Sequence, residues 1–175
     1  FNRISNLISL ESTSIMTTTV NSDKTDIYGG EAGVEFQAAS WLTSFANYSF
    51  QEIERNITGL GRRGAPQSKF NAGLRGEWDN GISGEVVLHY IGPAAYPLAQ
   101  SFDIFGRSPG TRVSDYTLLN FRTGYRFWEN ETAAGHRQSA EAAVSVFNAL
   151  DDGHREHPLG DLIERRVMAW LTLKL

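Results

Sequence analysis

Gln67-Ser68-Lys69-Phe70-Asn71-Ala72-Gly73-Leu74-Arg75-Gly76-Glu77-Trp78-Asp79, followed by Asn80-Gly81 and then Ile82-Ser83-Gly84-Glu85-Val86-Val87-Leu88-His89-Tyr90, carries the plainest structural instruction in the chain. Phe70, Ala72, Leu74, Gly76 and Trp78 alternate with Lys69, Asn71, Gly73, Arg75 and Glu77. A period of two sends the two sets to opposite faces of a β-strand. Asn80-Gly81 supplies the chemistry of a tight turn, whose central residues favour positive φ. Ile82, Gly84, Val86, Leu88 and Tyr90 then alternate with Ser83, Glu85, Val87 and His89, so an antiparallel hairpin is predicted.

The same grammar extends outward. Tyr116 to Trp128 sets Leu119, Phe121, Tyr125 and Phe127 against Asn120, Arg122, Gly124 and Arg126. Leu162 to Leu175 sets Val167, Ala169, Leu171, Leu173 and Leu175 against Arg166, Met168, Trp170, Thr172 and Lys174. Asp26 to Ala39, Trp41 to Glu54 and Phe1 to Glu11 read as further strands. Ser139 to Leu150 contains Ala140-Glu141-Ala142-Ala143, a run of good helix formers, but Val144, Val146, Phe147 and its place in the series assign it to a strand. This makes about eight strands of roughly ten to fourteen residues, longer than those of soluble sheets and long enough to cross a bilayer at a tilt.

The connections sort by length. Ser12 to Thr25, Arg55 to Pro66, Pro93 to Val113 and Asp151 to Asp161 are long and polar, whereas Ala39 to Trp41 and Asp79 to Gly81 are tight. They alternate, so the long loops should emerge at one end; Glu129 to Gln138, about ten residues long, is the exception at the short-turn end.

The bulk composition narrows function by exclusion. With 16 Lys and Arg against 20 Asp and Glu, a net charge of −4 leaves no basic excess for phosphates, which argues against nucleic acid as a partner. The absence of cysteine removes disulfides, thiolate metal sites and cysteine nucleophiles together. No apolar run of about eighteen residues occurs, a test to which transmembrane strands are blind because only every second residue faces lipid. Phe1-Asn2-Arg3 has neither an initiator methionine nor a leader, and residues 1–175 read as one fragment whose true start lies upstream.

Several stretches resemble the TonB-dependent receptors of the bacterial outer membrane. Phe1-Asn2-Arg3-Ile4-Ser5-Asn6-Leu7-Ile8 resembles a mid-barrel strand of that family. Gly29-Gly30-Glu31-Ala32-Gly33-Val34-Glu35 resembles its Gly-x-Glu strand, and Trp41-Leu42 through Asn47-Tyr48-Ser49-Phe50 the strand after it. Phe147-Asn148-Ala149-Leu150-Asp151-Asp152, then Arg165-Arg166 and a last amphipathic strand, resembles the closing hairpin. The resemblance implies an all-β fold: an antiparallel transmembrane β-barrel segment of about eight strands, the C-terminal part of a larger barrel whose plug and earlier strands lie outside this chain. It also implies active uptake of a scarce ligand such as a siderophore or other metal chelate, TonB as partner through the plug, outer-membrane lipid and lipopolysaccharide as surroundings, no cofactor and no enzymatic activity. One departure is the terminal Leu175, where the family commonly ends on Phe or Trp.

Individual motifs carry less. Gly59-Leu60-Gly61-Arg62-Arg63-Gly64 fits the dinucleotide pattern, but Pro66 and a strand follow in place of the helix that would meet a pyrophosphate; it reads as a surface loop in which Arg62 and Arg63 can touch an anionic ligand or lipopolysaccharide phosphate. His154, Glu156 and His157, near Asp151, Asp152 and Asp161, lack the order of a zincin site. They read as an external loop, with His154 and His157 as ligand-contact candidates and no resident metal. Arg75, Glu77, Glu85, Arg122, Arg126, Glu31 and Glu35 read as solvated or paired wall charges facing a lumen, not as acid–base catalysts. Trp41, Trp78, Trp128, Tyr90 and Tyr116 fall near strand ends, where interfacial girdles form.

Two rival readings remain at this stage. A complete eight-stranded outer-membrane barrel with an anchoring or adhesion role has the same strand count. A soluble sandwich or lipocalin-like binder should show the reverse split of its faces, an apolar interior and a polar exterior.

Overall fold

A computed structural model describes residues 1–12, 17–55, 64–96, 112–131, 135 and 137–174, with the backbone alone described for 6–12, 17–24 and 55. Among the described residues ten strands run in chain order: β1 Asn2–Ser12, β2 Thr17–Ala39, β3 Leu42–Arg55, β4 Ser68–Glu77, β5 Ile82–Ile91, β6 Ala94–Ala95, β7 Arg112–Val113, β8 Tyr116–Glu131, β9 Arg137–Phe147 and β10 Arg166–Lys174. Eight of them form one antiparallel sheet in the order β1-β2-β3-β4-β5-β8-β9-β10, and β6 pairs only with β7. Among the described residues β1 pairs with β2 alone and β10 with β9 alone. The sheet is therefore open, with two free edges.

Register assigns the faces. One row runs Phe36, Ser44, Leu74, Val86, Phe121, Val146 and Val167 across seven strands, and the next runs Val34, Ala46, Ala72, Leu88 and Leu119. Phe70, Leu74, Val86, Leu88, Phe121, Tyr125, Leu171 and Leu173, apolar members of the alternating sets, all fall on this side. The opposite face carries Thr43, Arg75, Glu85, Arg122, Ser145 and Met168 in one row.

The sheet is a single layer. Buried apolar residues among those described are only Val87, Ala94, Val113, Ala140 and Ala143, while Phe36 is 64% exposed and Leu173 63%. A soluble sheet hides its apolar face under a second layer. Here no second layer lies over it among the described residues, and covering each such side chain would contribute about 1.5–3 kcal/mol.

The turns explain the geometry of the short-turn end. The Trp78 N–H donates to Ile82 O, the Gly81 N–H to Trp78 O, and the Ile82 N–H to Asn80 Oδ1. Only Gly81 of this turn adopts positive φ, at +85°, so one left-handed residue suffices where two were expected. Trp78 folds back over Gly76 and Gly84, where a Cβ at Gly76 would lie 2.8 Å from its ring, and stacks on Trp41 at 5.3 Å. The glycines leave the hollow that this aromatic fills.

Four boundaries differ from the sequence expectation. The stretch Ser12 to Thr25 is not a long loop: β2 begins at Thr17, and Thr17 to Lys24 pair with Ser12 back to Ser5. Thr17-Thr18-Thr19-Val20 is β-branched, which favours extended backbone without any apolar alternation. The last strand starts at Arg166, not Leu162; Ile163 instead makes an isolated bridge to His154. Glu129 to Gln138 shrinks because β8 runs on to Glu131 and β9 begins at Arg137. A β-bulge between Arg126 and Trp128 shifts the alternation there, so Trp128, not Phe127, lies opposite Ala140.

Candidate functional site

The charged face is built from opposite signs on neighbouring strands. Arg75, Glu85 and Arg122 stand side by side in register, where facing side chains meet. Arg75 Nε donates to Glu85 Oε2 at 2.8 Å, and Arg122 Nη2 to Glu141 Oε1 at 2.7 Å. Register alone would oppose Glu141 to Arg126. Gly124 opens the diagonal route instead, because a Cβ there would sit 2.8 Å from both Glu141 Oε1 and Ser83 Oγ. Arg126 turns to Glu129 at 3.3 Å, which also takes Arg137 at 2.9 Å.

Aromatic rings underlie the charges. The Arg75 guanidinium lies 5.8 Å from the Phe45 ring and that of Arg122 5.5 Å from Trp170. His89 and Asn71, directly opposed, join Nδ1 to Oδ1 at 2.6 Å; the amide oxygen can only accept, so Nδ1 donates. These groups line an open hollow with Asn47, Asn120, Phe147 and Ser145. The result is a wetted, hydrogen-bonding surface whose charges neutralise one another pairwise.

At the long-loop end, the chain after β9 folds into a corner. Asn148, 3% exposed, holds a left-handed backbone at φ +54° and Asp151 another at +58°, conformations that Asn and Asp tolerate better than most residues. The Asn148 N–H donates to Asn120 Oδ1 at 2.9 Å, its Nδ2 donates to Asp152 O at 3.0 Å, and its Oδ1 accepts from the Asp152 N–H at 3.2 Å. Asp151 Oδ1 accepts the Arg165 N–H at 3.0 Å, closing the loop base.

The corner also receives the two candidate histidines. His154, 7% exposed, stacks on Tyr116 at 4.1 Å and brings Nδ1 within 3.0 Å of Asp152 O. His157 meets Tyr96 edge-on at 4.6 Å, and the Tyr96 hydroxyl donates to Glu156 O at 2.7 Å. The two rings thus serve different tyrosines. Among the described residues no three His, Asp or Glu side chains converge to hold a metal ion. Arg62 and Arg63 lie outside the described residues. Sequence reasoning overlooked Asn148 and Tyr96 as anchors; the available signal was Asn148-x-x-Asp151-Asp152 at the end of a strand, a run of residues that cap turns with their own side chains.

A model of the family described as TonB dependent receptor-like, beta-barrel, matches residues 1–149. The chain belongs to the TonB-dependent receptor β-barrel family. Its apolar face is accordingly a surface toward the lipid of the bacterial outer membrane, and its charged face lines the barrel lumen. The receptor chain is similar in structure to the copper transporter OprC, with a TM-score of 0.68 at 16% identity, over 97% of this chain and 25% of that one. At that identity the likeness is one of fold, and this chain spans about a quarter of the transporter's length. No curated relative matches it.

Proposed function

We propose that this chain is the C-terminal part of the wall of a receptor for TonB-dependent active uptake, and that it acts as wall and not as catalyst. The transported ligand is a scarce metal-bearing compound such as a siderophore or other chelate; the fold neighbour is a copper transporter. The observation that carries the reading is the single-layer sheet with one apolar face, one charge-paired face and two free edges. Unpaired backbone groups in hydrocarbon cost several kcal/mol each, so the free edges of β1 and β10 call for further strands from a larger barrel. That counts against a complete small barrel, which would pair these edges with each other. Ligand contact is assigned to the outer loops through Arg62, Arg63 and His157, with His154 holding the corner from beneath, since its ring is buried against Tyr116.

The test is depletion of a metal chelate from the medium by cells carrying the full-length receptor. Uptake should require both TonB and the proton gradient, and uptake that persists without them overturns the reading. Stable insertion of residues 1–175 alone, with β1 and β10 crosslinking to each other, would establish the small barrel instead.

A further inference from the structure

The corner and the lumen share a continuous set of hydrogen bonds. Asn120 faces the lumen from β8, opposite Val87, and lines the same hollow as His89, Asn71 and Trp170. Its Oδ1 accepts the Asn148 N–H; the Asn148 amide then takes both backbone groups of Asp152; and Asp152 O also meets His154 Nδ1, whose ring lies on Tyr116. Beyond His154, Glu156 and His157 bind Tyr96 of the neighbouring outer loop. Each link from Asn120 to His154 is 3.2 Å or shorter.

We infer that Asn148 is a positioning residue through which the lumenal side chain of Asn120 sets the posture of the outer corner, residues 152 to 157. The physical switch is the Asn120 amide. Its two ends are an acceptor and a donor of nearly the same size, so rotating it by half a turn replaces the oxygen under the Asn148 N–H with an NH2 group that cannot accept. A lumenal group that hydrogen-bonds Asn120 selects one of these two orientations, and coupling between distant sites requires a discrete element of this kind. With its N–H uncapped, Asn148, almost wholly buried, loses the reason to stay where its side chain grips Asp152. The corner then loosens as a unit. This inference rests on the contacts alone and stands apart from the identity of any transported ligand.

The test uses the full-length receptor in outer-membrane vesicles, with a nitroxide on Leu159→Cys, an exposed position just past the corner whose N–H donates to His157 Nδ1, and a control nitroxide on Leu74→Cys on the lipid face. Asn120→Leu removes the acceptor at similar volume, and Asn148→Gly keeps the left-handed backbone but removes the amide. Each should raise the mobile spectral fraction at 159 about fivefold or more, the double variant should go no further, and the label at 74 should not respond. Asn120→Asp, which presents an oxygen in either orientation, should keep the corner immobile. If Asn120→Leu does not assemble, Asn120→Ser, too short to reach, takes its place. A corner that stays immobile when Asn120 loses its acceptor, while Asn148→Gly frees it, overturns the inference by confining Asn148 to a local role. So does a double variant whose effect is the sum of the singles, or an Asn120→Asp corner as mobile as that of Asn120→Leu.

Discussion

The lumenal wall around Arg75, Glu85 and Arg122 and the outer corner around Asn148 are both polar, yet they are held in opposite ways. In the wall the contacts follow the ladder of strands, Arg75 facing Glu85 and Asn71 facing His89 in register and Arg122 reaching Glu141 on the diagonal, and the side-chain pair Arg75 and Glu85 is 50% and 33% exposed. In the corner nothing repeats. Asn148, His154, Tyr116 and Asp152 each fill a position that no neighbour duplicates, and Asn148 and His154 are buried. Repetition with exposure gives a surface that tolerates change residue by residue. Single, buried contacts give a joint that does not.

The largest test of that contrast comes from the wall's other face. Arg at Leu88 or Phe121, in the lipid-facing rows, should destabilise the full-length receptor by about 2–4 kcal/mol in urea unfolding from lipid vesicles. Arg at Ser49, which sits on the lumenal face between Glu31 and Lys69, should cost far less. Equal costs would mean that the faces are exchanged.

The corner comes next. Asn148→Ala deletes two side-chain hydrogen bonds, each worth about 1 kcal/mol, and forces alanine into a left-handed backbone at about 1 kcal/mol more, so a loss of about 3 kcal/mol is expected in the same unfolding assay. Asn148→Gly should recover about 1 kcal/mol of this, because glycine carries no penalty at positive φ. If both variants unfold like the parent, the corner is as tolerant as the wall and the contrast fails.

The smallest effect belongs to the charge pairs. A double-mutant cycle on Arg75 and Glu85, each replaced by Gln, should give a coupling below about 1 kcal/mol that fades with added salt. A coupling of several kcal/mol would mark the hollow as drier than its exposure implies.

The wall was legible because its information is periodic. Phe70 to Trp78 against Lys69 to Glu77 fixes two faces without reference to any other segment, and the Asn80-Gly81 turn fixes where the chain reverses. The errors fell where periodicity carries no meaning. Thr17 to Lys24 looked like loop because both of its faces are polar, yet its backbone pairs with β1 from Thr17 opposite Ser12 to Lys24 opposite Ser5. The bulge after Arg126 adds one residue, which no alternation can announce in advance. At the corner the residues were visible, but their joining was not: Asn120 and Asn148 are separated by 28 positions and meet only because β8 and β9 are neighbours. His154 and His157 were singled out together for their spacing, whereas the fold sends them to Tyr116 and Tyr96 separately.

Strand order in the sheet follows chain order without exception, and this has a kinetic meaning. Every pairing in the wall joins strands adjacent in the sheet's own chain order, so each is a local ring closure of the kind that completes in microseconds for an isolated hairpin. The widest gap is that between Ile91 of β5 and Tyr116 of β8, and loop-closure entropy rises only slowly with length. The wall can therefore zip from any hairpin in either direction, with no strand waiting on a distant one. The maturation rate of the whole receptor should therefore respond little to single substitutions within the wall.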